Sequence, residues 1–200
     1  MISHKSPLIL ASGSAARRTM LENAGLAFDV MPADIDEDSI FKNMDGQGAQ
    51  PEGIAAKLAD EKALAISKAN PQSYIIGSDQ ILELNGKIFQ KASNENDARE
   101  KLKSLRGKAH QLISSVSVAQ NNDIIWRAHD TAKLTMHDFS DEFLEDYITT
   151  AGNDLTSCVG AYAFEKHGSW LFESIDANYF TILGMPLLPL LDFLKEDYSQ

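Results

Sequence analysis

The chain has 200 residues, 44% of them hydrophobic, which is enough to bury a sizeable core in one domain or in two small lobes that share a cleft. It carries 18 Lys and Arg against 29 Asp and Glu, and a surface with a net charge of −11 repels nucleic-acid phosphates, which argues against binding a nucleic-acid polymer. The single cysteine, Cys158, excludes an internal disulfide and a CxxC zinc pair, so we interpret it as a small buried hydrophobe.

The amino-terminal region predicts two short strands around a helix. Residues 8–11 are apolar and predict a buried strand that runs into the turn Ser12-Gly13-Ser14. A helix follows over residues 15–23 and stops at Gly25, because glycine suits the position just after a helix. Residues 26–31 alternate roughly between apolar and polar, which predicts a second strand.

The next segments are an acidic loop over residues 33–38 and a polar, glycine-containing stretch over residues 40–50, which we predict to be a mobile connection. Pro51 favours the first turn of a helix that runs to about Lys68. Residues 73–79 predict a buried strand. Asn85-Gly86 between β-rich flanks predicts a two-residue hairpin with a type I′ turn, because both turn positions need positive φ.

The carboxyl-terminal half adds further strands and helices. Its predicted elements are, in chain order, a helix capped by Ser93 or Asn94 and ended by Gly107, two long strands joined at Asn121-Asn122, a helix capped by Ser140, strands near residues 161–164 and 169–175, and a last helix that begins at Pro186. Strands and helices mix without strict alternation, so the pattern predicts an α/β fold with a mixed, partly antiparallel sheet.

Two apolar segments bear on the location of the protein. The amino terminus lacks the long apolar core of a signal peptide. The most apolar stretch, residues 182–194, holds two prolines and an aspartate and is shorter than the ~20 apolar residues of a membrane span. We therefore expect a cytoplasmic protein with no membrane contact.

The stretch ASGSAARR, residues 11–18, combines hydroxyl groups and cations at a helix start. Backbone N–H groups at a helix amino terminus are unpaired and attract anions. Ser12 and Ser14 add hydroxyl donors, and Arg17 and Arg18 add guanidinium groups that can hold two phosphate oxygens. The same residues also fit a serine-capped helix with two solvated arginines, so both interpretations stay open.

Lys62 and Asp79 are further candidates for a polar site. Lys62 lies on a helical stripe of small and apolar residues, where it binds a ligand, extends to solvent, or pairs with Glu61 or Asp60. Asp79 ends an apolar strand just before the hairpin, a place for a general base, a magnesium ligand or an ordinary turn former.

Asp36, Glu37 and Lys91 add charges that could reach the same cleft, although the two carboxylates also fit a solvated acidic loop. The chain has no P-loop, GxGxxG, HExxH or GxSxG motif, and its five histidines lack zinc-ligand spacing. A helix amino terminus, arginines and lysines accept polyphosphate, while separated carboxylates hold a hard cation and activate water. Together these residues suggest attack of water on a nucleotide polyphosphate assisted by Mg²⁺ or Mn²⁺.

Several ordered blocks of the sequence resemble the Maf family of nucleoside triphosphate pyrophosphatases. They are LILASGSAARRTMLENAGLAFDV, ADIDE, KLADEKA (57–63), IIGSDQILELNGKIFQK (75–91), VGAYAFEKHG and ILGMPL. The resemblance covers nearly the whole chain and implies one Maf-like catalytic domain over residues 1–200. It also implies a fold similar to the inosine triphosphate pyrophosphatases, with an elongated mixed β-sheet flanked by helices and a central cleft between two lobes.

The resemblance further implies hydrolysis of a nucleoside triphosphate to the monophosphate and pyrophosphate. Asp79 would accept the proton of the attacking water and, together with Glu37, hold the Mg²⁺ or Mn²⁺ ion. The residues that would bind the triphosphate are Ser12, Ser14, Arg17, Arg18, Lys62 and Lys91. A homodimer is a further expectation from the family.

A few positions bear on the choice of base. Gln80 and Glu165 resemble the branch that acts on 7-methyl-GTP, whereas members that act on dTTP and UTP carry Thr and Gln there. A methylated guanine is cationic, and a carboxylate such as Glu165 could accept hydrogen bonds from its N–H groups or balance its charge. Ala15 and Ala16 depart from the family pattern of Pro followed by Arg or Trp, and a missing Trp weakens stacking on a cationic base. Ser114 stands where the family usually has Thr.

Alternatives to this interpretation stay open. One is a pyrophosphatase for dTTP and UTP. Another is a nucleotide-binding regulator of septum formation without significant catalysis, for which Ala15 and Ala16 would mark a degraded site. A phosphomonoesterase is a third, and it would release inorganic phosphate rather than pyrophosphate.

Overall fold

The computed structural model describes residues 6–196, which belong to two compact units. Unit 1 falls within Met1–Gln80, Ser114–Asp130 and Gly184–Gln200, and unit 2 comprises Ile81–Ile113 and Thr131–Leu183. Residues 1–5, on which the expectation of no signal peptide partly rests, lie outside the described part of the chain. No helix within residues 6–196 combines the length and the apolar character that a membrane crossing needs.

The elements of the fold follow one another in mixed order. The strands are β1 (Leu8–Leu10), β2 (Asp29–Val30), β3 (Tyr74–Leu84), β4 (Lys87–Phe89), β5 (Ala109–Gln120), β6 (Asp123–Met136) and β7 (Phe172–Asp176). The helices are α1 (Ala15–Asn23), α2 (Glu37–Gly46), α3 (Pro51–Ser67), α4 (Glu95–Leu105), α5 (Asp141–Ala151), α6 (Asp154–Ser157), α7 (Tyr179–Ile182) and α8 (Leu187–Lys195), with a 3-10 helix at His167–Leu171.

The seven strands form one mixed sheet in the order β2-β1-β3-β5-β6-β7, and β4 pairs with β3 outside that path. Strand β1 runs parallel to both β2 and β3, whereas β3 with β4 and β6 with β7 are antiparallel. The predicted α/β fold with a mixed sheet flanked by helices is therefore confirmed.

Each unit has its own apolar core. In unit 1, β1, α3 and β3 contribute Ile9, Ala63 and Ile75 to one buried cluster. In unit 2, leucines of β3, α4 and α5 share a cluster with Tyr162, and Phe172 packs against it; the centroids of these two rings lie 4.9 Å apart in an edge-to-face arrangement. The small residues of the unit 1 cluster allow α3 to lie close to the sheet.

Local signals predicted most elements well. The helix over Ala15–Asn23 has its predicted bounds, and the helix that begins at Pro51 ends one residue early, at Ser67. Asn85 and Gly86 have the positive φ of a type I′ turn, 53° and 81°. Asn94 and Ser140 cap their helices as predicted.

Four predictions about local structure are wrong or only partly right. Residues 40–50 are not a mobile connection, because α2 covers Glu37–Gly46 and is capped by Asp36. The strand predicted at residues 161–164 is absent, since the chain turns there with a φ of 59° at Ala161. The predicted strand at residues 26–31 is reduced to Asp29–Val30. Cys158, expected to be buried, is only half-buried, although burial still raises the pKa of its thiol.

Candidate functional site

Parallel pairing of β1 with β3 brings the first turn of the chain beside the segment that carries Asp79. Leu10 is in register with Ile76. Two residues further along both strands, Ser12, just past the carboxyl end of β1, therefore lies beside Ser78 in the middle of β3. This register assembles the candidate site within unit 1.

Lys62 on α3 faces Asp79 on β3. The Lys62 Nζ donates a hydrogen bond to Asp79 Oδ1 at 2.6 Å, and both side chains are only about a tenth exposed. Helix and strand approach this closely because Gly77 has no side chain. A Cβ at Gly77 would lie 2.1 Å from the Ala59 carbonyl oxygen and 2.8 Å from the Ala63 nitrogen. The glycine contact thus sets the distance between the lysine and the aspartate.

Glu37 adds a second carboxylate to the same lysine. Its Oε2 lies 3.1 Å from Lys62 Nζ, and its side chain is half exposed. Glu37 is the first residue of α2, and the Asp36 cap holds this turn by accepting a hydrogen bond from the Ser39 backbone N–H at 3.0 Å. The ammonium of Lys62 therefore lies between two carboxylates.

Arg17 is buried and binds the protein itself. Its Nε donates to the Gly184 carbonyl at 2.9 Å, and its Nη1 donates to the Ser78 carbonyl at 2.8 Å and to Ser12 Oγ at 3.2 Å. Burial lowers the pKa of Arg17, while the charges of Asp79 and Glu37 act in the opposite direction. Arg17 thus ties the start of α1 to the end of β3 and contributes positive charge beside the carboxylates.

The two serines of the first turn organise the backbone there. Ser14 caps α1, since its side chain accepts a hydrogen bond from the Arg17 backbone N–H at 3.4 Å. Ser12 is buried, and its Oγ accepts from the Ser14 backbone N–H at 3.3 Å. Both hydroxyl groups therefore shape the turn that presents the amino end of α1.

Gln80 and Gly184 complete the surroundings of Arg17. Gln80 Nε2 donates to Ser114 Oγ at 3.1 Å. Gly184 has a φ of 102°, and a Cβ there would lie 3.4 Å from Arg17 Nε and 3.7 Å from Gln80 Oε1. Its carbonyl also accepts from the buried Ser78 hydroxyl at 2.9 Å. A glycine is required at 184 both by this backbone conformation and by the crowding around it.

Comparison with known proteins decides the family. The family described as Maf-like protein matches residues 7–197. The chain belongs to the Maf family.

Its relatives match over nearly their whole lengths. A protein of Granulibacter bethesdensis named nucleoside triphosphate pyrophosphatase is 45% identical, with 94% of this chain and 96% of that protein covered. Proteins named 7-methyl-GTP pyrophosphatase from Rhizobium meliloti and Brucella abortus are 40% and 43% identical, with at least 95% of each chain covered. Among solved structures, the Staphylococcus aureus Ham1 protein matches with a TM-score of 0.44 and 15% identity, over 66% of this chain and 72% of that one.

The structure brings together part of the predicted set in this Maf chain. Ser12, Arg17, Glu37, Lys62 and Asp79 are neighbours, whereas Arg18 lies on the exposed side of α1 and pairs with Glu22 at 3.3 Å. The predicted role of Arg18 in phosphate binding stays a prediction.

The remaining predicted residues occupy other positions of the Maf fold. Lys91 and Glu165 belong to unit 2, and both are exposed. Ala16 is a half-buried residue of α1 in unit 1. The roles of these three residues stay predictions.

The structure excludes two of the three alternatives for Lys62, and its ligand role stays a prediction. Its predicted pairing with Glu61 or Asp60 is wrong, because Glu61 pairs with Lys57 and Asp60 binds Arg127. Lys62 does not extend to solvent either, since only 8% of the residue is exposed. Asp79 and Glu37, which the sequence places far from residue 62, are the partners.

Sequence reasoning missed two residues of the site, Ser78 and Gly184. Ser78 donates to main-chain carbonyls, and Gly184 accepts from both Arg17 and Ser78. Both lie inside the blocks that resemble the family, which was a usable signal. The residue types alone gave no signal, because a buried serine in an apolar strand and a glycine before a helix have many ordinary explanations.

Glu37 and Asp79 are the residues that could hold a metal ion here. Within residues 6–196, no group of three or more His, Cys, Asp and Glu side chains has metal-binding geometry. Two carboxylates do converge on one cationic group, however, since Lys62 Nζ lies 3.1 and 2.6 Å from them. Mg²⁺ is commonly held by one or two carboxylates plus the phosphates of a substrate, so this donor set fits such an ion.

Proposed function

We propose that this Maf protein hydrolyses a nucleoside triphosphate to the nucleoside monophosphate and pyrophosphate. The observation that carries the proposal is the buried Lys62–Asp79 pair beside the amino end of α1. A carboxylate, a lysine and a helix amino terminus supply a base and two kinds of phosphate-binding group. The names of the relatives from Granulibacter and Rhizobium support the same reaction.

In this reaction, Asp79 accepts a proton from water as the water oxygen attacks a phosphorus atom. The new bond forms between that oxygen and phosphorus, the bridging P–O bond breaks, and pyrophosphate leaves with the bonding electrons. Lys62 and the N–H groups at the start of α1 bind phosphate oxygens, and Ser12 and Ser14 hold the turn that presents those groups. Arg17 stays in place because three protein acceptors hold it.

Glu37 and Asp79 would hold a Mg²⁺ or Mn²⁺ ion together with the nucleotide phosphates. When bound, such an ion neutralises charge on the phosphates and orients them. Lys91 would add a further phosphate contact, as the family resemblance implies.

We further propose a preference for a modified purine such as 7-methyl-GTP. Gln80 and Glu165 are the residues behind this choice, and relatives from Rhizobium meliloti and Brucella abortus carry the corresponding name. The hydrogen bond to Ser114 gives the Gln80 amide a defined orientation for reading a base.

A nucleotide panel with product identification tests the proposal. The protein is incubated with Mg²⁺ or Mn²⁺ and 7-methyl-GTP, GTP, dTTP or UTP, and both pyrophosphate and inorganic phosphate are assayed. Pyrophosphate is the expected product, fastest from 7-methyl-GTP. Inorganic phosphate alone would indicate a phosphomonoesterase, and tight binding without turnover would indicate a regulator.

The Asp79→Asn variant tests the role of the base. We expect turnover to fall by a factor of ~10²–10⁴, because a general base contributes about that much. Asp192→Asn is the matched control, since Asp192 is a solvent-exposed carboxylate of α8 that pairs with the nearby Lys195. Near-normal turnover of Asp79→Asn would remove Asp79 from the proposed role.

A further inference from the structure

We propose that the Lys62 ammonium occupies the cation position between Glu37 and Asp79 in the free protein, and that it yields this position only when nucleotide phosphates draw it away. The inference deepens the proposed function and rests on it. Its consequence is an order of binding: without a nucleotide, Lys62 keeps a divalent ion out of the carboxylate pair.

The distances place the lysine where an ion would have to bind. Lys62 Nζ is 2.6 Å from Asp79 Oδ1 and 3.1 Å from Glu37 Oε2, so both carboxylates already have a cationic partner. The lysine and aspartate side chains are about nine-tenths buried, and charges interact strongly where water is largely excluded. A divalent ion on the same two carboxylates would therefore face a positive charge within a few ångströms.

Two features allow Lys62 to move while its backbone stays fixed. Helix α3 is held against the sheet at Gly77, which touches Ala59 and Ala63 on either side of the lysine along the helix. The ammonium itself ends a flexible four-carbon stem and is a compact donor that can exchange one oxygen acceptor for another. Because Glu37 is half exposed, one of the two present acceptors lies at the edge of the solvent.

Arg17 shows the contrast between a fixed and a movable cation in one site. Its guanidinium donates to Ser12, Ser78 and Gly184, and all three acceptors are parts of the protein framework. The partners of Lys62, in contrast, are the side chains of Glu37 and Asp79. A triphosphate competes for the ammonium with several negatively charged oxygens, and its arrival frees the carboxylates when they are needed.

The test measures binding of Mn²⁺ alone to the full chain, without nucleotide, by electron paramagnetic resonance of the free ion. We expect Lys62→Met to bind Mn²⁺ at least tenfold more tightly than the wild type. Lys62→Arg keeps the charge and should resemble the wild type. Lys57→Met is the matched control, because Lys57 lies on the same helix but is exposed and pairs with Glu61.

A second pair of variants locates the ion and guards against misfolding. Lys62→Gln should gain affinity as Lys62→Met does, so the comparison does not depend on one substitution. Adding Asp79→Asn to Lys62→Met should abolish the gain. Unchanged or weaker Mn²⁺ binding in both neutral variants would overturn the inference.

Failure of this inference can be distinguished from failure of the proposed function. If the wild type releases pyrophosphate while the neutral variants gain no affinity for Mn²⁺, the reaction stands and the inference is wrong. If the wild type releases no pyrophosphate from any nucleotide but the neutral variants bind Mn²⁺ more tightly, the displacement of the ion by Lys62 stands and the reaction does not.

Discussion

Replacement of Gly77 by alanine tests whether the packing of α3 on β3 controls the site. The added Cβ would lie 2.1 Å from the Ala59 carbonyl oxygen and 2.8 Å from the Ala63 nitrogen. Side-chain carbons do not approach backbone atoms closer than about 3.0 Å, so the helix and strand must separate by about 1 Å. Neither backbone atom is the flexible end of a side chain that could rotate away.

The same movement acts on the Lys62–Asp79 pair. Lys62 precedes Ala63 on the displaced helix, and Asp79 follows Gly77 by two residues on the strand. A shift of about 1 Å moves the backbone that carries Lys62 away from the strand that carries Asp79, so both groups leave the positions in which they would act on a substrate. We expect a loss of about 1–3 kcal/mol in the free energy of unfolding from overpacking, and a fall of ~10²-fold in kcat from the displaced groups.

Urea unfolding and pyrophosphate release measure the two effects on the same preparation. Gly53→Ala is the matched control, because Gly53 lies on α3 with nothing within 4 Å of an added Cβ. That variant should be more stable by about 0.5–1 kcal/mol, since alanine suits a helix better than glycine, with unchanged kcat. Wild-type stability and turnover in Gly77→Ala would show that the packing of α3 on β3 does not control the site.

The remaining predictions concern His110 and Arg17. Burial lowers the pKa of His110 from 6.5 to about 4. Between these two pH values the unfolded chain binds one more proton at this residue than the folded chain does. The contribution of neutral His110 to stability is therefore fully present well above pH 6.5 and is lost as the pH falls toward 4. Urea unfolding should show the wild type losing about 2 kcal/mol more than His110→Gln between pH 7 and pH 5, and parallel losses would contradict this. Arg17→Lys should cost about 2 kcal/mol or more in the same measurement, because one ammonium cannot reach three acceptors, whereas exposed Arg18→Lys should change stability by less than ~0.5 kcal/mol.

Short-range rules explain why so much of the fold was predictable. The type I′ turn at Asn85-Gly86 and the Ser140 cap depend on the residues themselves, whatever surrounds them. The sequence did not predict helix α2, because its segment is polar and contains glycines. These glycines lie at the carboxyl end of the helix: Gly46 is its last residue, and Gly48, with a φ of 73°, follows it. The cap at Asp36 and the acidic first turn were the better signals, and they were interpreted as a loop.

The candidate site was predictable as a set of residues but not as a set of contacts. The identities of Lys62, Asp79 and Glu37 followed from their types and from the family resemblance. That Lys62 would bind both carboxylates depends on tertiary packing, since the three residues come from α2, α3 and β3. Arg17 was expected to bind phosphate, whereas its observed partners are backbone carbonyls and a serine of the protein.

The contact at Gly77 links the core of unit 1 to the chemistry of the site. The same approach of helix to strand that packs Ala63 in the apolar cluster also places Lys62 against Asp79. A larger residue at position 77 therefore cannot be accommodated by loosening the core without also separating the two charges. If the site depends on this packing, stability and turnover should fall together in Gly77→Ala, whereas Gly53→Ala on the same helix should leave turnover unchanged.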